Sequence, residues 1–160
     1  MAMSLPGLRI RDFQPADALE IMRLFHDTVH TINARDYTPE QIEAWAPAIL
    51  DEPSWHKRLR ANFTFVAESG GQIVGFSELE RNGHIETLYV HHQHQGMGIA
   101  SRLMSEMETR ARAFGARQLF TEASLTAYPF FQRRGFKLVR AQDVERRGVS
   151  LRNFVMQRVL

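Results

Sequence analysis

The chain has 160 residues, 44% hydrophobic and 24% charged, with a formal net charge of +2. That is enough apolar content for one globular domain, and too small a positive excess to argue for nucleic acid as a partner. There is no cysteine, which excludes disulfides, a thiol nucleophile and thiolate metal sites. No run approaches the roughly 20 apolar residues of a membrane span, and MAMSLPGLRI lacks the pattern of a signal peptide, so a cytoplasmic protein with no membrane partner is expected.

LRIRDF, Leu8 to Phe13, alternates as a strand does, and Pro15 sits where a helix can begin. Ala18, Ile21, Met22, Leu24, Phe25 and Val29 then recur at helical spacing. Thr38-Pro39-Glu40-Gln41 reads as an N-cap, a first-turn proline and a capping-box glutamine for a second helix through Trp45, stopped by Pro47. Ser54 is expected to cap a short third segment to about Arg60. FTFVAE, QIVGFSELE and HIETLYV, separated by SGG and RNG, predict an antiparallel meander.

From Gly98 a longer helix places Ile99, Leu103, Met104, Met107 and Ala111 on one face and stops at Gly115. QLFTE is the fifth strand. The helix between it and the fourth predicts parallel neighbours joined by a right-handed crossover. Ser124 opens a short helix, Tyr128 to Arg134, closed by Gly135. FKLVRAQDVERRG and VSLRNFVMQRVL form a last hairpin turning near Arg147-Gly148. The sum is one α/β (α+β) domain over residues 1–160, with about seven strands in a mixed, mostly antiparallel sheet and about four helices.

The most informative segment is VHHQHQGMGIAS, Val90 to Ser101, where a strand ends in a polar loop and two glycines open a helix. Gly96 and Gly98 allow backbone angles closed to other residues, so several amides can converge on one anion at the positive end of the helix. A phosphate or pyrophosphate fits such a loop. A nicotinamide-type GxGxxG fits poorly, because Ser101 stands where the third glycine belongs and an antiparallel meander precedes the loop. A Walker loop is excluded by the absence of GK followed by Ser or Thr. A loop that merely turns the chain remains the plain alternative.

Val90-x4-Gln95-x2-Gly98-x-Ala100 resembles the acetyl-CoA signature of the GNAT superfamily of N-acetyltransferases, Gln/Arg-x-x-Gly-x-Gly/Ala after a strand ending in a β-branched residue. Ala127-x2-Phe130-Phe131-x3-Gly135-Phe136 resembles the second motif of that family, and the element order matches it from end to end. YTPEQIEAWAP and ASLTAYPFF resemble a bacterial YafP-like branch. The resemblance implies a GNAT fold with strands four and five splayed apart, and direct transfer of acetyl from acetyl-CoA to the amine of a small molecule or peptide.

On that resemblance, Gln95, Gly96, Met97, Gly98, Ile99, Ala100 and Ser101 cradle the pyrophosphate, while main-chain groups of Leu88, Tyr89 and Val90 meet the pantetheine. Ser124 aligns with an asparagine that binds pantetheine in relatives, and N-capping is its plainer role. Glu86, on the strand face shared with Leu88 and Val90, is the candidate base for the acceptor ammonium; its alternative is to anchor a cation or pair an arginine. The tyrosine that protonates the leaving thiolate in many relatives falls on Phe131, which has no proton to give; Tyr128 is a substitute if its hydroxyl reaches the sulfur, with packing or facing the substrate as its alternative roles.

His30, Asp36 and Tyr37, in and between the first two helices, lie where the family shapes its acceptor pocket; a solvated helix end is their plainer alternative. Arg133-Arg134 is a candidate for the 3′-phosphate of CoA or an ordinary solvated pair. His91, His92 and His94 invite a metal, but no carboxylate or cysteine stands beside them, and no metal is expected. His84-x-Glu86 matches half of a zinc-deaminase motif whose cysteine half is missing. A monomer or homodimer is expected. The competing function is an acyl-CoA-binding regulatory module without turnover, for which Phe131 is the argument.

Overall fold

The computed structural model describes residues 5–160. Its strands are β1 (Arg9–Asp12), β2 (Phe63–Ser69), β3 (Gln72–Leu79), β4 (Ile85–Val90), β5 (Gln118–Ser124), β6 (Lys137–Arg146) and β7 (Val149–Val159). Its α-helices are α1 (Ala18–Thr31), α2 (Pro39–Trp45), α3 (Glu52–Ala61), α4 (Ile99–Ala113) and α5 (Tyr128–Arg133). Short 3-10 turns at Pro15–Asp17 and Asn33–Arg35 flank α1.

Local chemistry sets most of these boundaries. At the start of α2 the Gln41 N–H donates to Thr38 Oγ1 at 3.2 Å and the Thr38 N–H donates to Gln41 Oε1 at 2.9 Å, the reciprocal box that the sequence predicts. The cap of α3 is Asp51 and not Ser54. Asp51 has extended backbone angles, and its carboxylate accepts from the Ser54 N–H at 3.3 Å and from Ser54 Oγ at 2.7 Å. The last hairpin turns on Arg147 and Gly148, both with positive φ, which matches the right-handed twist of the strands it joins.

Two apolar layers enclose the first sheet, its strands alternating except at an irregularity opposite Ala67 and Glu68, where the extra residue Val74 puts Ile73 and Phe76 on the same side. Val66, Ile73 and Phe76 face Ile21, Phe25 and Val29 of α1 and Trp55 of α3. Phe65, Ala67 and Val74 face Leu103, Met104 and Met107 of α4. At Gly75 an added Cβ would stand 2.9 Å from Ile99 Cγ2 and 3.1 Å from the Tyr89 carbonyl oxygen. A glycine there lets the first turn of α4 seat directly on β3.

The seven strands form two antiparallel sheets, ordered β1-β2-β3-β4 and β5-β7-β6, where the sequence predicts one mixed sheet. Five α-helices stand where about four are expected. Strands β4 and β5 touch through one parallel bridge, His84 with Phe120, supported by the Phe120 N–H donating to the Gly83 carbonyl and Thr121 Oγ1 donating to the Ile85 carbonyl. No ladder continues from it. Farther along, side chains take the edge of β4: Thr28 Oγ1 and Gln95 Nε2 both donate to the Val90 carbonyl, at 3.1 and 2.8 Å. Strand β5 is paired instead with β7 along its whole length. Among the described residues no helix is long and apolar enough to cross a membrane.

Candidate active site

A cleft of about 620 Å³ opens where β4 and β5 part. One wall is the segment from His94 to Ser101, the floor is the facing ends of β4 and β5, and the far wall comes from the end of α1, Tyr37, Trp45 and the β6–β7 hairpin.

The loop wall is shaped by backbone conformation. The His91 N–H makes the last ladder bond, to the Val74 carbonyl at 2.8 Å, and the chain then turns through Gly96 and Gly98, with φ of 72° and 78°. Gly98 is the N-cap of α4 and offers no side chain to the helix, whose first internal bond is from the Arg102 N–H to the Gly98 carbonyl. The amides of Ile99, Ala100 and Ser101 therefore have no partner within the helix. A Cβ added to Gly96 or Gly98 would meet nothing within 4 Å, so both glycines border open space. This donor set, at the positive end of a 15-residue helix, suits a diphosphate.

On the floor, antiparallel alternation counted from His91 turns the main-chain groups of Leu88 and Val90 away from β3. The carbonyl of Val90 is already held by Thr28 and Gln95, which leaves its N–H and both groups of Leu88 toward the cleft. Glu86 reaches the same space with its side chain 35% exposed. Desolvation raises its carboxyl pKa, and Glu78 adds repulsion, while Arg58 and His84 pull the other way. Glu78 itself is fully buried and held by Arg58, Asn62 and Thr87.

His84 lies below Glu86, between the two sheets. Its Nε2 is 2.9 Å from Glu122 Oε1, and its Nδ1 is 3.2 Å from Glu80 Oε1 and 3.6 Å from Glu86 Oε2. Burial alone would depress this imidazole, but the hydrogen bonds and charges of Glu122 and Glu80 outweigh it and push the pKa up to about 9. The His84 bond in turn lowers the pKa of Glu122. Glu80, His84 and Glu86 also have ligand atoms close enough together for a cation. With both ring nitrogens directed at carboxylates, the arrangement is that of an imidazolium.

The acetyltransferase (GNAT) domain profile matches residues 33–158. The chain belongs to the GNAT acetyltransferase family. It is 35% identical over 152 residues to the uncharacterized N-acetyltransferase YafP of Escherichia coli K12, covering 94% of this chain and 95% of that protein. Among solved structures it is similar to a GCN5-related N-acetyltransferase from Rhodopseudomonas palustris, at 36% identity, a TM-score of 0.94 and coverage of 100% and 99% of the two chains. The PaiA N-acetyltransferase of Thermoplasma acidophilum, solved with coenzyme A, shares the fold at 17% identity and a TM-score of 0.79, covering 96% of this chain and 99% of that one.

Within this GNAT cleft lie most of the residues singled out from the sequence: Glu86, Leu88, Tyr89, Val90, Gln95, Gly96, Gly98 to Ser101, Ser124, Phe131 and Tyr37. Met97 turns instead toward the apolar layer under α4. Ser124 Oγ accepts from the Ala127 N–H at 3.0 Å and so fastens the turn into α5. Phe131 is buried against Phe130 and Phe136. Tyr128 does not line the cleft; its ring lies 4.8 Å from that of Phe154.

Of the three acceptor-pocket candidates only Tyr37 lines the cleft. Its hydroxyl donates to the Arg152 carbonyl at 2.7 Å and accepts from the Leu125 N–H at 2.9 Å, so its ring forms a fixed wall. His30 Nε2 lies 2.7 Å from the Ala46 carbonyl oxygen, joining α1 to the end of α2, and Asp36 accepts from Thr126 Oγ1 at 2.8 Å. Sequence reasoning passed over the contributions of Asn33, Val144, Arg146, Leu151 and Asn153. Strand alternation pairs Val144 with Arg146 and Leu151 with Asn153, but nothing local says which face of the hairpin meets a cleft.

Proposed function

We propose that the protein moves the acetyl group of acetyl-CoA directly to a primary amine. The observation that carries this reading is the run of uncapped amides at the start of α4, reached through two left-handed glycines that border open space in the cleft. Bound there, acetyl-CoA supplies the acetyl group as a thioester.

Amides from Gln95 to Ser101 hold the diphosphate, and the free main-chain groups of Leu88 and Val90 align the pantetheine as an added strand. A main-chain N–H on that edge polarises the thioester carbonyl, an effect worth ~3 kcal/mol in comparable sites. Arg133, exposed at the coenzyme end, serves the 3′-phosphate. Glu86 takes the proton of the acceptor ammonium, since an amine with a reference pKa of about 8 to 10.4 has no free lone pair until that proton leaves. A raised carboxyl pKa brings Glu86 closer to the working pH of a base. No side chain is assigned to protonate the sulfur; a coenzyme thiol with a reference pKa near ~8.5 can leave as thiolate.

Mixing the protein with acetyl-CoA and an amine panel while following free thiol tests the reading. Thiol release above blank with at least one amine supports it. Coenzyme binding with no thiol from any amine would favour a regulatory acyl-CoA-binding module, a reading to which Phe131 and the packing of Tyr128 on Phe154 lend weight.

A further inference from the structure

We infer that the acceptor is a small zwitterion, a primary amine joined to a carboxylate and carrying an apolar side group, an α-amino acid in the simplest case. This rests on the acetyl transfer proposed above and names its substrate class. The observations lie at the end of the cleft away from the glycine loop, where the β6–β7 hairpin turns Val144, Arg146, Leu151 and Asn153 inward.

Arg146 is the reason to expect an anion. Its neighbours are engaged: Arg152 pairs with Asp143 at 3.1 and 3.3 Å, and Arg147 donates to the Ala44 carbonyl at 2.6 Å. Among the described residues Arg146 makes no ion pair and no side-chain hydrogen bond, yet it lines the cleft. A guanidinium fork in that position matches a carboxylate bidentately. Its charge reaches Glu122 and helps to depress that carboxyl without contact. A free guanidinium and the floor carboxylates thus share one cleft without touching, and a ligand with both charges bridges the gap.

The opposite charge is supplied by Glu86, whose nearest cationic partner is His84 at 3.6 Å. Asn153 adds an amide oxygen that is shielded from solvent and lacks any hydrogen-bond partner, an acceptor suited to an ammonium N–H. Between these polar groups Ile32, Tyr37, Trp45, Val144 and Leu151 form an apolar wall for the side group. A plain amine satisfies Glu86 but brings its cation up to Arg146 with nothing between them, so the site discriminates against it.

The test uses four amino acids, leucine, methionine, phenylalanine and tryptophan, each against its decarboxylated amine, with phenylalaninamide as the neutralised control. The expected kcat/KM favours the amino acid of at least one pair by ~10- to 100-fold, the range for a hydrogen bond to a charged group. Arg146→Ala is expected to collapse that ratio toward one, and Arg146→Lys to restore part of it. Calorimetry of the preferred amino acid into CoA-saturated protein, which needs no turnover, should show affinity falling by a similar factor in Arg146→Ala. Exposed and unpartnered, Arg146 can be replaced without removing an ion pair or side-chain hydrogen bond of the fold.

A ratio near one in every pair, no preference over the amide, or a preference that survives Arg146→Ala overturns the assignment. So does the absence of binding by all four amino acids to the CoA-loaded protein. Failure to bind CoA in the same calorimeter would instead overturn the acetyltransferase reading beneath it.

Discussion

His84 Nε2 stands 2.9 Å from Glu122 Oε1 at the point where β4 and β5 part, so this contact joins the two sheets beside the Thr121–Ile85 bond and the parallel bridge of His84 with Phe120. The pKa of His84 is about 9 in the fold, against an ordinary 6.5. A group whose folded pKa is raised stabilises in full below its unfolded value, and that contribution is lost as the pH rises through the folded one. The melting temperature of the parent should therefore exceed that of His84→Gln most at about pH 6, with the gap closing by about pH 10. A gap that stays constant over this range would remove the imidazolium from the account.

Glu86→Gln should lower kcat by roughly 100-fold at neutral pH, the scale of a lost general base, while acetyl-CoA binds as before. Burial raises the Glu86 carboxyl pKa, so the acid limb of the parent's profile should lie above the ordinary carboxylate range. Stopped thiol assays across about pH 4 to 9 read both effects. Equal rates for parent and variant would leave Glu86 no part in proton removal.

At Gly98 the φ of 78° is closed to a β-branched side chain, and a strained residue of this kind costs on the order of 1–3 kcal/mol. Gly98→Val should abolish saturable coenzyme binding in a calorimeter, either by closing the left-handed turn or by placing methyl groups in the open space that the amides face. Circular dichroism will show whether the fold persists. Undiminished affinity in the variant contradicts the loop's role.

Gly75 makes a different demand, for space and not for conformation. A Cβ there would stand 2.9 Å from Ile99 Cγ2 and 3.2 Å from Leu103 Cδ1, so Gly75→Ala must repack Ile99 and Leu103 or shift the first turn of α4. Overpacking of this kind costs ~1–3 kcal/mol. Because α4 carries the amides proposed to hold the coenzyme, urea unfolding and CoA affinity should both weaken. A variant as stable as the parent would mean that α4 yields freely.

Much of this was legible in the sequence where local chemistry decides. The capping box at Thr38 and Gln41, the helical spacing in α1 and α4, and the turn at Arg147-Gly148 all depend on neighbours within a few residues. At α3 the sequence offers two cap residues, Asp51 and Ser54, and the Asp51 carboxylate decides between them by accepting from the Ser54 N–H. The expected single sheet is divided in two at the His84–Phe120 bridge, where the expected splay of strands four and five begins, and the Val90 carbonyl finds Thr28 from 62 positions away, a partner that pairing rules do not see. His30 and Asp36 are each bonded within the scaffold, to Ala46 and Thr126, partners that local spacing does not reveal. The part of the cleft wall formed by Arg146, Leu151 and Asn153 is not legible in the sequence because alternation groups residues by face without naming what the face meets.

The most direct test of the central claim is difference density from a crystal of this protein grown with coenzyme A. The account predicts the diphosphate within about 3 Å of the main-chain nitrogens between Gln95 and Ser101, with the pantetheine running along the free edge of β4. Coenzyme ordered elsewhere on the molecule, with those nitrogens turned to water, would contradict it.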